Sequence, residues 1–212
     1  MMKLKTEREI NKICRYEKQW KIKTSAQKFK IIPIAQYGDK KFTIEGKEIT
    51  SSKEGKVLGL TIQSTGIIKH ATKNRQKATG VLNKLRRFAN LTTKLKTTLV
   101  KTLILPVLEY PPIPQCSLSQ SQKKETQRVQ NKAIRFINHN EDRQTMEQLY
   151  RKYNLTPLNV SIHNKAIKTW HLMEYTQRNT FDRLKQQQQR SHKWFPKTTD
   201  IINNPQPNPI IT

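Results

Sequence analysis

The stretch KLKTTLVKTLILPVLEY, residues 94–110, is the most apolar run in an otherwise very polar sequence. Two rows of apolar residues recur in it at every fourth position: Leu95, Leu99, Leu103 and Val107, and beside them Val100, Ile104 and Leu108. This spacing predicts a helix with a wide apolar face and a basic opposite face. Pro106 is expected to kink or end the helix, because its ring clashes with the carbonyl group four residues earlier. We therefore expect a small helical core built around this stretch.

Composition points to a polyanionic partner. The chain has 212 residues, enough for one domain or two small ones, and only 34% of them are hydrophobic. Lys and Arg outnumber Asp and Glu by 41 to 15, which gives a net charge of +26. Such a charge repels itself, so a partner of opposite sign is expected: nucleic acid first, and an anionic membrane surface second.

The sequence predicts neither a membrane span nor secretion. No run approaches the roughly 18 apolar residues that a membrane helix needs. The first residues, MMKLKTEREINK, lack the apolar centre of a secretory signal. Cys14 and Cys116 match no zinc spacing and indicate unpaired thiols in a reducing compartment. An intracellular location, in the nucleus or the cytoplasm, is therefore expected.

Regular elements are predicted in the first third as a helix followed by a few strands. A helix is expected over residues 4–20, with Ile10, Ile13, Cys14 and Trp20 on one side. Strands are expected within residues 21–34, a hairpin over residues 41–49, and a single strand over residues 57–62.

From residue 67 onward the apolar period changes to that of helices. One helix is predicted to about residue 90, with Phe88 on its buried face, and residues 110–117 are predicted to be an extended or turning connection. A polar helix over residues 119–138 is expected to pack weakly through Val129, Ala133 and Ile137. Asn140 predicts the start of a short helix to about residue 153. Thr156-Pro157 predicts the next start, of a helix with one face formed by Leu158, Ile162, Ala166, Trp170 and Met173.

These elements predict an α+β, mainly α fold. A short N-terminal helix and a few-stranded sheet would occupy residues 1–65, and a helical bundle would occupy residues 66–178. Residues 179–212, which contain QQQQ and NNPQPNP, are expected to be a disordered tail.

The distribution of charge gives the strongest functional signal. Between Gly55 and Leu108 there is no Asp or Glu, but eleven Lys or Arg occur there: Lys56, Lys69, Lys73, Arg75, Lys77, Lys84, Arg86, Arg87, Lys94, Lys96 and Lys101. A second basic stripe follows on the next helix and consists of Lys124, Arg128, Lys132 and Arg135. Solvated surfaces usually mix signs, because like charges four residues apart on a helix repel. The two sets therefore predict contacts with the sugar-phosphate backbone of nucleic acid, with little sequence preference.

Catalytic and metal-binding patterns are weak. Two-metal phosphoryl chemistry needs clustered carboxylates, and the adjacent pair Glu141-Asp142 is better explained as a charged helix start. His163 and His171 are eight residues apart, whereas metal ligands on a helix are expected three or four apart. No metal site is therefore predicted on this chain.

Four blocks follow one another along the chain: WKIKTSAQKFKIIPI (20–34), KVLGLTIQSTGIIKH (56–70), KTLILPVLEY (101–110) and RVQNKAIRFI (128–137). In this order they resemble the end of the reverse transcriptase domain of non-LTR retrotransposons, particularly the jockey-like elements. The resemblance covers about residues 10–178. It implies the end of the palm in residues 1–65 and a helical thumb and post-thumb region in residues 66–178.

The resemblance also implies roles for individual residues. Lys28 matches a lysine linked to handling of the incoming nucleotide, and Leu58 with Gly59 matches the primer-grip strand. Pro106 and Tyr110 match the end of the thumb helix. The later thumb helix of the family is matched by Arg128, Gln130, Asn131, Lys132 and Arg135.

Departures from the family concern catalysis. The family copies RNA into DNA with Mg²⁺ held by an aspartate pair in a Y/F-x-D-D strand, and that strand is expected before residue 1. Ser25, Phe29 and Gln63 stand where the family usually has other residues, and Pro111 and Pro112 replace small ones. We therefore expect a partial or decayed copy that binds template-primer RNA and DNA, needs a separate N-terminal polymerase portion, and is inactive alone. The alternatives are a non-catalytic basic nucleic-acid-binding protein and a structural or membrane-surface protein held by charge.

Overall fold

The computed structural model describes residues 2–21, 30–33, 41–44, 47–64, 66–116, 118–139 and 144–177, with single positions at 179, 182 and 209. It is mainly helical, with two small antiparallel sheets of two strands each, and the predicted α+β, mainly α class is confirmed. The chain divides into two compact units, Met1–Gly66 and Ile67–Thr212. The tail predicted over residues 179–212 lies almost wholly outside the described residues.

The first unit begins with helix α1, Met2–Trp20, which confirms the predicted helix. Ile10 is buried, whereas Ile13 and Trp20, predicted on the same face, are exposed. Helix α1 is tied to the first strand by the amide of Thr43, which donates to the Glu7 carboxylate at 3.3 Å. Of the strands predicted within residues 21–34, only residues 30–33 are described, and they form no strand.

Two hairpins follow helix α1. Strand β1, Lys41–Ile44, pairs with β2, Lys47–Thr50, as predicted for residues 41–49. Strand β3, Glu54–Val57, pairs with β4, Leu60–Gln63, so the prediction of a single strand over residues 57–62 is wrong. Leu58 and Gly59 form the turn between them, with positive φ angles of 47° and 84°. Two successive positive φ angles are typical of the tight turn whose twist matches that of a hairpin.

The second unit begins with helix α2, Ile68–Leu85, which continues into a 3₁₀ turn, Arg86–Phe88. Ala78, Leu82 and Leu85 are buried on its inner face. Phe88 is 56% exposed, so its predicted place in the core is wrong. The tighter 3₁₀ turn has three residues per turn and therefore shifts Phe88 away from the face that the α-helical spacing predicts.

The stretch over residues 94–110 folds as three consecutive helical pieces: α3, Thr93–Leu99, a π-helical turn, Val100–Ile104, and α4, Leu105–Glu109. The Thr92 hydroxyl caps the start by accepting the Leu95 amide. Of the two outcomes expected at Pro106, a kink or an end, the helix does not end there, because Pro106 lies in the first turn of α4, where its missing N–H is tolerated. The preceding π turn bonds the Leu105 amide to the Val100 carbonyl group, five residues earlier.

Within this stretch one of the two predicted apolar rows forms the core. Val100, Ile104 and Leu108 are fully buried, whereas Leu95 and Leu103 of the other row are each 44% exposed. The short helix α5, Pro112–Cys116, comes next, so the prediction of an extended or turning connection is wrong at residues 112–116. A proline at the first position of a helix has a suitable fixed φ and loses no intrahelical hydrogen bond.

Helix α6, Gln120–Ile137, lies at the centre of the second unit. Ser119 and Gln122 form a capping box at its start, and Ala133, Ile134 and Ile137 are almost completely buried. Its predicted weak packing is therefore wrong. The prediction fails because part of the buried face of α6 is polar.

Polar side chains on this buried face form a closed network with Tyr150. Gln127 Nε2 donates to the amide oxygens of Gln130 and Asn131 at 2.7 and 3.1 Å and also bonds the Tyr150 hydroxyl. Gln127 Oε1 accepts the amide of Leu158 at 2.9 Å, which caps the next long helix. Burial raises the pKa of Tyr150, so its hydroxyl remains a donor in this network.

Helices α7, Met146–Lys152, and α8, Leu158–Thr176, complete the unit. Thr145 caps α7, and the start predicted at Asn140 lies outside the described residues. Pro157 is the N-cap residue of α8 rather than its first helical residue. The predicted buried face of α8 is confirmed at four positions: Leu158, Ile162, Ala166 and Trp170. None of the described helices has the length and apolar character needed to cross a membrane.

Candidate nucleic-acid interface

A basic groove runs between helices α2 and α6. It consists of two adjoining cavities of about 470 and about 400 Å³ that share Lys132. The wall on the side of α2 contains Thr72, Arg75, Gln76, Thr79, Gly80, Asn83, Arg86 and Ala89. The wall on the side of α6 contains Glu125, Arg128, Val129, Lys132, Arg135, Phe136 and His139.

Three exposed cations of α6 line the groove as a regular row. Arg128, Lys132 and Arg135 are separated by four and three residues, so successive side chains emerge from nearly the same side of the helix. With a rise of about 1.5 Å per residue, the row extends over roughly 10 Å along the helix axis. The residues between them, including Val129 and Ile134, face the core. Burial of these neighbours therefore fixes the direction of the three cations.

The opposite wall contributes Arg86 and Arg75. Arg86 is exposed in the 3₁₀ turn, and its guanidinium donates to the Asn83 side chain at 3.4 Å. Gly80 lies between them, and a Cβ atom placed there would meet no atom within 4 Å. This wall therefore has no side chain at Gly80, near its centre, and a positive charge at each end.

Arg75 differs from the other cations because it is held by a carboxylate. Its Nη2 atom lies 2.9 Å from Glu125 Oε2 and donates to the Thr72 hydroxyl at 3.1 Å. The Arg75 side chain is 16% exposed, and the Glu125 side chain is 51% exposed. Among the described residues that line the groove, Glu125 is the one carboxylate, facing five Lys or Arg side chains. The groove therefore has a strong positive excess.

The predicted phosphate-contacting residues on α2, on the 3₁₀ turn and on α6 divide into two sets. Five line the groove: Arg75, Arg86, Arg128, Lys132 and Arg135. Six others are exposed but are not among its lining residues: Lys69, Lys73, Lys77, Lys84, Arg87 and Lys124. By helical spacing, Lys69 and Arg87 continue the row of Gln76 and Gly80 towards its two ends. These six widen the positive surface of the two helices.

The residues predicted to form the primer grip belong to the first unit. Leu58 and Gly59 form the turn of the β3–β4 hairpin in the first unit, and Leu58 is 89% exposed. Lys28 lies outside the described residues. Lys96, from the acid-free run, is buried at 3% exposure, with its ammonium group 5.6 Å from the centre of the Phe136 ring. Lys96 is therefore removed from the candidate interface.

The sequence prediction omitted several residues of the groove. Glu125 and Arg75 are fifty positions apart on different helices, and no spacing rule in a single sequence joins them. His139 lies at the end of the groove beside Arg135 and Phe136. Its place just after α6, where the basic stripe ends, was the available signal.

His163 and His171, for which no metal site is predicted, lie in different environments. His163 is buried, and burial, together with the charge of Lys123, lowers its pKa. His171 is exposed, and its Nδ1 atom lies 3.7 Å from Glu174. Among the described residues, no group of three His, Cys, Asp or Glu side chains could hold a metal ion.

Comparisons with protein-family models, with curated proteins and with solved structures gave no match to this chain. The geometry of the groove and the four sequence blocks are therefore the observations from which a function is argued.

Proposed function

We propose that this chain is the nucleic-acid-binding end of a non-LTR retrotransposon reverse transcriptase, and that the basic groove holds the backbone of its template-primer duplex. The observation that carries the proposal is the groove itself, with two helices presenting five cations and one carboxylate to the same space. Phosphate groups are the natural ligand of such a surface, because each contact releases condensed counterions from the nucleic acid. An intracellular site of action, in the nucleus or cytoplasm, belongs to the same proposal.

The contacts of this groove suit a backbone rather than base edges. The walls contain five Arg or Lys side chains, and Phe136 is the one Phe, Tyr or Trp side chain among the described lining residues. Single-strand binders stack successive bases on several aromatic rings, so a duplex is the better ligand. Backbone contacts position the protein without reading sequence.

The family part of the proposal draws support from the division of labour within the RVQNKAIRFI block. Its Gln130 and Asn131 side chains lie in the buried network around Tyr150, whereas Arg128, Lys132 and Arg135 line the groove. The KTLILPVLEY block supplies Ile104 and Leu108 to the hydrophobic core that also contains Ile134 and Ile137. The two blocks thus cooperate to hold a cationic face outward, as a thumb requires.

Polymerisation by this chain alone is not part of the proposal. The family holds Mg²⁺ with an aspartate pair, and the sequence contains no such adjacent pair. Glu109, a buried carboxylate, is engaged by the Ser161 hydroxyl at 2.5 Å and by Lys165. The described residues therefore do not fit a two-metal centre. Mg²⁺-dependent extension of a primer on poly(rA) by the purified chain would contradict this part.

The binding proposal is tested by fluorescence anisotropy with a labelled RNA–DNA hybrid of about 20 base pairs. If about six side chains neutralise phosphates, affinity falls about a thousandfold between 50 and 200 mM salt. Anionic lipid vesicles serve as the competitor. Displacement of the labelled duplex by vesicles at a lower concentration of negative charge than unlabelled duplex requires would favour a membrane-surface protein instead.

A matched pair of triple variants locates the binding surface. The groove variant replaces Arg128, Lys132 and Arg135 with Ala, and we expect its salt slope to fall by about 2.7, which is 0.9 for each lost contact. The control variant removes the same net charge outside the groove, at the exposed residues Lys94, Arg151 and Lys168. Equal loss of affinity in both variants would show that total charge, rather than the groove, governs binding.

A further inference from the structure

Arg75 occupies an unusual position among the cations of the groove. Arg128, Lys132 and Arg135 are exposed, whereas the Arg75 side chain is largely buried against α6 and lies in the cavity wall. Its Nη2 atom has two partners, Glu125 and Thr72, but its Nη1 atom is buried and has no hydrogen-bond partner in the described part of the chain. Buried guanidinium donors are normally satisfied, so this atom has unused capacity for an acceptor.

Glu125 is the group that holds Arg75 in this state. Its carboxylate lies in the groove, 2.9 Å from Arg75 Nη2, in the same cavity as Arg128 and Lys132. A carboxylate and a phosphodiester both present two anionic oxygens to a guanidinium group, and both can accept hydrogen bonds from two of its N–H groups. Because Glu125 is half exposed, its side chain can turn to solvent without burying an unpaired charge.

We propose that Glu125 is an internal substitute for a phosphate group, which occupies Arg75 in the free protein and is displaced by a backbone phosphate of the bound duplex. The phosphate then accepts hydrogen bonds from both Nη1 and Nη2 of Arg75. This inference rests on the proposed function, because it assumes that the basic groove is the binding surface. It adds that one phosphate subsite is built around Arg75 and that Glu125 weakens binding at that subsite.

The test compares Glu125→Gln with Glu147→Gln in the full chain, using the same labelled RNA–DNA hybrid. Both substitutions remove one negative charge, and Glu147 is exposed on α7, outside the lining of the groove. We expect Glu125→Gln to bind about five- to tenfold more tightly near 100 mM salt, because no carboxylate then has to be displaced from Arg75 and none repels the incoming phosphate. Glu147→Gln is expected to change affinity less than twofold.

Three further outcomes separate this inference from the proposed function. An equal gain from both Gln variants, or weaker binding by Glu125→Gln, overturns the role of Glu125 while leaving the groove in place. The gain must also vanish in the double variant Arg75→Gln/Glu125→Gln, and a gain that persists there overturns the subsite at Arg75. If the triple groove variant binds as tightly as the native chain, the proposed function fails first. Glu125→Ala repeats the test without the Gln amide.

Discussion

Gln127 is expected to be the most sensitive polar residue of the second unit, because one side chain joins three helices. Its amide oxygen accepts the Leu158 amide of α8, and its amide nitrogen serves Gln130, Asn131 and Tyr150. We predict that Gln127→Met strongly destabilises the protein. Met has a similar length and an unbranched chain, so the effect reports lost hydrogen bonds rather than a cavity.

The magnitude follows from counting the groups that lose partners. The buried Leu158 amide is left without its acceptor, at about 2 kcal/mol, the middle of the usual range for an unsatisfied buried group. Two neutral hydrogen bonds to the amide oxygens are lost as well, at about 1 kcal/mol each. The expected fall in the free energy of unfolding is therefore about 4 kcal/mol, a large part of the stability of a domain of this size.

Urea denaturation followed by circular dichroism measures this loss. Gln120→Met is the matched control, because Gln120 is exposed at the start of the same helix, and its effect should stay within about 0.5 kcal/mol. Hydrogen exchange should also show selective loss of protection at the Leu158 amide. If Gln127→Met lowers the free energy of unfolding by less than about 1 kcal/mol, with an unchanged denaturant slope, the hydrogen-bond network does not stabilise the second unit as proposed.

Three further predictions concern single positions. Gly80→Ala should raise the free energy of unfolding by about 0.5–1 kcal/mol, since Gly80 lies inside α2 with open space around its Cβ position; urea denaturation checks this, and a loss of stability would contradict it. Burial lowers the pKa of His163 below 6.5, so the unfolded state takes up its proton first and stability should fall as the pH drops through that value. This fall should be smaller in His163→Gln, as measured by urea denaturation at about pH 7.5 and about pH 5.5. Lys132→Met should lower the salt slope of duplex binding by about 0.9, whereas Lys96→Met, which replaces a buried lysine, should leave it unchanged; equal effects would contradict the assignment of Lys96 to the core.

Helices of this chain could be predicted from the sequence because their signals are local. The Thr92 side chain caps α3 by accepting the Leu95 amide, and Thr is one of the residue types preferred at this position. The buried face of α8 follows a strict helical period, and Leu158, Ile162, Ala166 and Trp170 are all buried. In such segments the apolar period and the caps predict the same helix, and tertiary packing agrees with both.

Polar and irregular features were not predictable from the same rules. Gln127 and Gln130 are polar by composition but almost completely buried, because Tyr150 and the start of α8 supply their partners from distant parts of the chain. Leu58 was assigned to a strand because it is apolar, yet it occupies a turn with positive φ. Single-residue preferences cannot reveal partners that only tertiary structure brings together.

The burial of Lys96 has a cause in helix geometry. Lys96, Val100, Ile104 and Leu108 follow one another at intervals of four and are all buried. In a regular α-helix four residues turn the chain by about 400°, so such a row drifts by about 40° at each step. The π turn at Val100–Ile104 holds one additional residue, which underwinds the helix and keeps the row facing the core. Lys96 is thus drawn inward by the register of its apolar neighbours.

Glu125, which forms an ion pair between α6 and Arg75 of α2, should also limit the affinity of the groove. Without Glu125, Arg75 would face the cations of α6 with no counter-charge, and the two helices would repel each other. The Glu125 side chain is half exposed, so the contribution of the ion pair to stability is at most about 1 kcal/mol. Removal of its negative charge should nevertheless raise duplex affinity by up to tenfold at about 100 mM salt. Glu125→Gln should therefore be slightly less stable and bind more tightly, and a variant that is more stable and binds no more tightly would show that Glu125 serves neither purpose.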